Sequence, residues 1–227
     1  MFSLSQIAIY VIPVLFALIH FLEFSSYYCR IAGLETGAKV LSYSYQQMFF
    51  VGTRFFFIAL MPLIGFVIDS KVSIDSYILM LNFSMLFAGF AYVISYLLKD
   101  KIIYLVKCKL DRSYQKNRVF NKLNIASVFK NKKLIFLSSI VFCCYALGVF
   151  LAFYFALSYY EYRATISQLS GVVNGLATVL LTFIIEPILA KEIDKDNPDA
   201  INMIYSLLLG RFIGVAILTH AIIIVLR

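Results

Sequence analysis

The chain has 227 residues and a formal charge of +8; 62% of its residues are hydrophobic, 17% aromatic and only 14% charged. Soluble domains run near half apolar and a quarter charged, and a soluble core of this size has no room for such a surplus. A soluble globular class is excluded, which leaves an integral membrane protein.

Six apolar runs follow in chain order, at about 4–28, 41–68, 77–98, 134–160, 165–189 and 201–226. Each is long enough to cross a hydrocarbon core roughly 30 Å thick. The runs are continuous, without the alternation of a barrel strand, so they predict helices. The expected fold is an all-α polytopic membrane protein with six transmembrane helices. It divides into helices 1–3 (1–98), a basic loop (99–133) and helices 4–6 (134–227).

The first run has no basic start, is too long and ends on no A-x-A site, so it does not read as a cleavable signal peptide. His20, Glu23, Tyr27 and Arg30 follow at spacings of three, four and three, which puts them on one helical face. An ionisable group in hydrocarbon costs roughly 2.5–3.5 kcal/mol on insertion scales unless it faces protein or water. This face is therefore expected to line a wet cavity or meet another polar helix, with Arg54 or Arg211 as partner for Glu23. Arg54 itself sits in FFVGTRFFFIALMP, too deep in the second run to snorkel.

Segment 99–133 holds eleven Lys and Arg against Asp100 and Asp111. The positive-inside bias assigns it to the cytoplasm, along with loops 29–40 and 190–200, and assigns both termini to the outside. Juxtamembrane basic residues normally set topology and meet anionic lipid, so a nucleic-acid partner is not expected. Stretches 102–106 and 119–129 read as amphipathic segments lying on the membrane, contacting anionic lipid. Further on, Cys143 and Cys144 read as small packing residues, and the four cysteines lack zinc-ligand spacing. Arg163, flanked by Tyr159, Tyr160 and Tyr162, reads as an interfacial anchor, and His220 as interfacial.

MPLIGFVID (61–69) and EPILAKEID (186–194) both contain Pro, six residues and Asp, at a constant offset of 125 residues. A three-helix unit repeated once must insert upside down the second time, which is the inverted-repeat plan of many transporters. Other motifs are weak. His20 and Glu23 form HxxE, too few ligands for a metal. GLETGAKV (33–40) lacks the spacing and the strand of a phosphate loop. No catalytic triad can be built from two histidines. No cofactor and no metal are expected.

The pattern H-x-x-E-x-x-S-Y-x-x-R-x-A-G-x-x-T, at His20, Glu23, Ser26, Tyr27, Arg30, Ala32, Gly33 and Thr36, resembles the start of the Amj family, bacterial lipid II flippases. The likeness continues through Arg54, then Pro62, Gly65 and Asp69. It returns in SGVVNGLATVLLTFIIEP with Gly171, Asn174, Gly175, Thr178, Glu186 and Pro187. The resemblance implies transfer of undecaprenyl-pyrophosphate-linked peptidoglycan precursor from the inner to the outer leaflet of the cytoplasmic membrane. The physics of the residues fits this independently: an anionic head needs a cationic, hydrated groove, with Arg30, Arg54, Arg211, Tyr27 and Asn174 as candidate substrate-binding residues and His20, Glu23, Asp69 and Glu186 as candidate coupling or charge-pairing groups. Guanidinium matches pyrophosphate bidentately. With no nucleotide motif, the motor is expected to be the membrane potential or an ion gradient, and a homodimer is a reasonable way to wall a large head group. The rival readings are a cation-coupled carrier for a small solute, a scaffold docking a cytoplasmic partner on the basic loop, a membrane enzyme acting on lipid carriers, and a flippase for another isoprenoid-linked glycan.

Overall fold

The computed structural model describes residues 4–110 and 123–226. They are almost wholly helical, with no strand among them, and six of the rods are long and apolar enough to cross a membrane. The first three spans are α1 (Leu4–Thr36), α2 (Lys39–Asp69) and α3 (Ile74–Leu97). Two short helices follow, α4 (Lys99–Lys109) and α5 (Ile125–Lys130), and then the fourth span, α6 (Lys132–Ser158). The fifth span joins α7 (Arg163–Leu180), a π-helical stretch (Leu181–Ile185) and α8 (Glu186–Asp194). The sixth joins α9 (Ala200–Phe212), a second π-helical stretch (Ile213–Leu218) and α10 (Thr219–Val225).

Local chemistry sets the breaks. Gly37 takes a left-handed φ of 83° and donates to the Gly33 carbonyl, closing the α1–α2 turn as a helix C-terminus favours. Ser73 caps α3 by accepting from the Ser76 amide, with Asp75 in the first turn. Asn124 caps α5 by accepting from the Ala126 amide. Pro13 and Pro62 sit inside α1 and α2 without ending them.

α1 packs along both α2 and α3, and α6 packs along both α7 and α9. The first span of each half thus carries the other two. Side chains join the halves: Phe16 of α1 meets Phe150 of α6 edge-on at 5.0 Å, and Tyr77 of α3 donates to the Phe150 carbonyl. The outer faces stay apolar, with Phe55, Ile58 and Phe183 each at least 70% exposed, as lipid-facing side chains require.

One end of the bundle is basic. There α4 lies along α1, with Lys107 paired to Glu35. α5 is fastened to the sixth span: Ser127 donates to Asp199, the Asn124 amide donates to Asn202, and Ser206 donates to the Val128 carbonyl. α4 covers residues 102–106, and α5 covers residues 125–129 of the stretch 119–129. Residues 119–122, Asp111, Arg112, Lys116, Arg118 and Lys122 lie outside the described residues.

Candidate functional site

A cavity of about 910 Å³ runs between the first, second, fourth and fifth spans. α1 and α6 form its back wall, while α2 and α7–α8 form its sides. The two sides make no extended close approach to each other. They are joined near their ends instead. At the basic end Lys39 of α2 pairs with Asp196 at 2.8 Å and donates to the Asp194 carbonyl. At the far end Asp69 of α2 pairs with Arg163 of α7 at 3.1 Å. The result is a cleft clasped at both ends and open between two rods.

The α1 stripe faces this cleft along its length: His20, Glu23, Tyr27 and Arg30 all line it. Between them they are held from four other elements, α2, α3, α8 and α9. Arg30 donates to Glu186 of α8 and to Gln46 of α2, and Tyr27 donates to the same Glu186 at 3.2 Å. This knot ties α1, α2 and α8 together near the basic end. About 10 Å along α1 at 1.5 Å per residue, Glu23 accepts from Arg211 of α9. Arg211 is fully buried, donates through Nε to the Tyr92 hydroxyl at 3.1 Å, and stacks its guanidinium 4.1 Å from the Phe142 ring centroid.

Tyr92 also bonds His20 Nδ1. Because an arginine can only donate, the Tyr92 oxygen accepts from Arg211, and its own proton is free to go to Nδ1. That arrangement suits a neutral His20 carrying its proton on Nε2.

Arg54 differs from the other two arginines. It is exposed, lines the cleft, and has no carboxylate partner among the described residues; its guanidinium lies 5.9 Å from the Phe57 ring centroid. It also sits within electrostatic reach of Tyr145, which donates to Thr178 at 2.7 Å. Asn174 lines the same wall, and its buried Oδ1 has no protein donor. Opposite it, Gly148 has no room for a Cβ, which would come within 3.1 Å of that oxygen and 2.8 Å of Val173.

Arg30, Arg54, Tyr27, Asn174, His20, Glu23 and Glu186 therefore share one cleft. Arg211 stands behind the wall and reaches it through Glu23. Asp69 does not belong to it, since its carboxylate is occupied by Arg163 at the far end. His220 is half-buried in α10, bonded to the Ala216 carbonyl and away from the cleft. Sequence reasoning missed Gln46 and Tyr92. Gln46 is a polar residue in an apolar run, a signal that was available; Tyr92 is one of 16 tyrosines and nothing in its spacing marks it.

Six apolar spans around a charged, laterally open cleft define a polytopic membrane protein with a polar cleft among its spans. The family model described as "Alternate to MurJ", Amj, matches residues 104–225, more than half of the chain. The chain belongs to the Amj family. Membership supports a lipid II flippase role in general terms, one of transport at a multi-pass inner-membrane protein. No curated protein and no solved structure matches it.

Proposed function

We propose that the chain carries the pyrophosphate-sugar head of lipid II through the cleft from the inner to the outer leaflet while the isoprenoid tail stays in the bilayer between α2 and α7. The observation that carries this reading is Arg54, a mid-span guanidinium exposed in the cleft without a carboxylate. An isolated cation at that depth is costly, and an anionic headgroup is the partner that offsets the cost. Arg54 makes the first phosphate contact. Arg30 follows when the phosphate displaces Glu186, and Arg211 when it displaces Glu23. Asn174 Oδ1 accepts from a sugar hydroxyl or amide, and Tyr27 orients the head beside Arg30. Protonation of a released carboxylate, or of His20, supplies a route for ion coupling.

Export of negative charge from a negative interior is favoured by about 2.3 kcal/mol per charge per 100 mV, so the potential alone can drive net transfer. The basic end is the cytoplasmic one in this reading, and both termini face outward. The paired Pro/Asp motifs fit an inverted repeat. The end of span two clasps the start of span five through Asp69–Arg163, and the end of span five clasps the start of span two through Asp194 and Asp196 with Lys39. Loosening one clasp and then the other gives alternating access. A homodimer would add a second wall to the open side.

The test is complementation. Cells stripped of their other lipid II flippases should survive on this chain alone, and failure to survive at normal membrane abundance would refute the assignment.

A further inference from the structure

A second cavity, of about 310 Å³, lies among α1, α3 and α9, roofed by α5. It falls at the small end of the roughly 300–1,000 Å³ range of ligand sites. Its walls are hydrocarbon and aromatic rings from α1, α3, α5 and α9, among them Phe24, Tyr92, Val93, Phe129 and Leu209. The roof is fixed by the polar bonds of Ser127, Asn124 and Ser206, so the space beneath it is held open by hydrogen bonds that its apolar lining does not supply. Beside Phe129 the chain turns cationic: Lys130, Lys132 and Lys133 are all exposed.

We infer that this pocket holds one acyl chain of an anionic phospholipid whose phosphate rests on Lys130, Lys132 and Lys133. The two parts of the site match the two parts of such a lipid: a dry slot for a chain, and exposed lysines one, three and four residues on from the pocket-lining Phe129 for the head. A lipid there touches the ring of Tyr92, which stacks on Phe24 at 4.7 Å, while the hydroxyl of that tyrosine holds Arg211 and His20. The bound chain is thereby linked to the back wall of the cleft through one side chain. The inference is independent of which substrate the cleft carries.

The chain has no tryptophan, so Phe129→Trp in the full protein is a single reporter at the mouth. Reconstitute it in phosphatidylcholine vesicles containing a small fraction of either phosphatidylglycerol or phosphatidylcholine with brominated acyl chains. Brominated phosphatidylglycerol should quench more strongly than brominated phosphatidylcholine at the same fraction. Lys130→Gln and Lys132→Gln should each reduce that preference by about fivefold, from the typical attraction of one lysine to an anionic surface. Val93→Phe, which fills the pocket, should weaken quenching by both lipids; the exposed lysine variants keep the test decisive if this variant fails to fold. Equal quenching by both lipids would overturn the inference. So would protection from both, which would mean that protein covers the pocket, and so would relief of quenching by unlabelled undecaprenyl phosphate but not by unlabelled phosphatidylglycerol.

Discussion

Arg30 and Arg54 in the cleft and Arg211 behind its wall show three degrees of pairing. Arg211 is fully buried and depends on Glu23, Tyr92 and the Phe142 ring, with Nη1 left without a protein partner. Removing one member of a buried pair leaves the other charged and desolvated, typically at about 3–5 kcal/mol. Glu23→Gln should therefore lower the thermal unfolding midpoint in detergent markedly, and Glu23→Gln with Arg211→Met should recover much of the loss. If the single substitution leaves the midpoint unchanged, the pairing is wrong. Arg54→Ala, by contrast, removes an exposed group and should move stability by no more than about 0.5 kcal/mol. Glu186 is partly accessible, at 22% of its side chain, so Glu186→Gln should cost less than Glu23→Gln in the same unfolding assay.

At the scale of elements, the α6–α9 seam is held by glycine. A Cβ on Gly214 would lie 2.3 Å from the Ser139 carbonyl oxygen, and one on Gly210 would lie 2.4 Å from the Ile135 carbonyl oxygen. These neighbours are backbone and cannot swing away. Small residues let spans approach closely where no hydrophobic effect drives them together. Gly214→Ala should cost about 1–3 kcal/mol by overpacking, whereas Gly175→Ala, with nothing within 4 Å, should be neutral or slightly stabilising. Equal midpoints for the two variants in a detergent melt would refute the seam. Two π-helical stretches adjoin charged positions, one ending just before Glu186–Pro187 and one beginning just after Arg211 and Phe212. Such insertions often mark functional sites, and Pro187 lacks the amide that a regular ladder would use.

Much of this was legible in the residues. Apolar run length revealed six spans, and the spacing of His20, Glu23, Tyr27 and Arg30 revealed one polar face of α1, which lines the cleft, because both depend only on helical geometry and the cost of charge in lipid. Hydropathy ended the first helix near residue 28, yet α1 continues to Thr36. Its last turns are buried against protein, where Glu186 and Gln46 accept from Arg30 and Lys107 pairs with Glu35, and hydropathy measures fitness for lipid only. The choice of Arg211 over Arg54 as partner of Glu23 was open for the same reason: composition identifies charges needing partners, and only packing decides which meet. Glu186 stood out as a charge in an apolar run and Asn174 through family likeness, and their place in the cleft follows from how α7 and α8 lie against α1 and α6.

For the whole molecule, the cleft is bounded by clasps that are individually weak. Asp69 and Arg163 are 67% and 43% exposed, and Lys39–Asp196 also reaches solvent; exposed pairs of this kind contribute about 0–1 kcal/mol each. Weak clasps suit the alternating access proposed above, in which the rods part and rejoin. Asp69→Asn should leave the unfolding midpoint nearly unchanged while altering the rate at which probes on α2 and α7 separate, as read by single-molecule fluorescence transfer. An unchanged separation rate would remove the clasp from the mechanism. The central claim is that an unpaired arginine in a hydrated cleft carries an anionic lipid head across the bilayer. Its most direct measurement is the labelling of lipid II on the outer face by an impermeant lipid II-binding glycopeptide, in cells whose only lipid II flippase is this chain. Arg54→Ala should abolish labelling at unchanged protein abundance, with Arg54→Lys restoring part of it; labelling by Arg54→Ala equal to that of the unsubstituted chain would contradict the account.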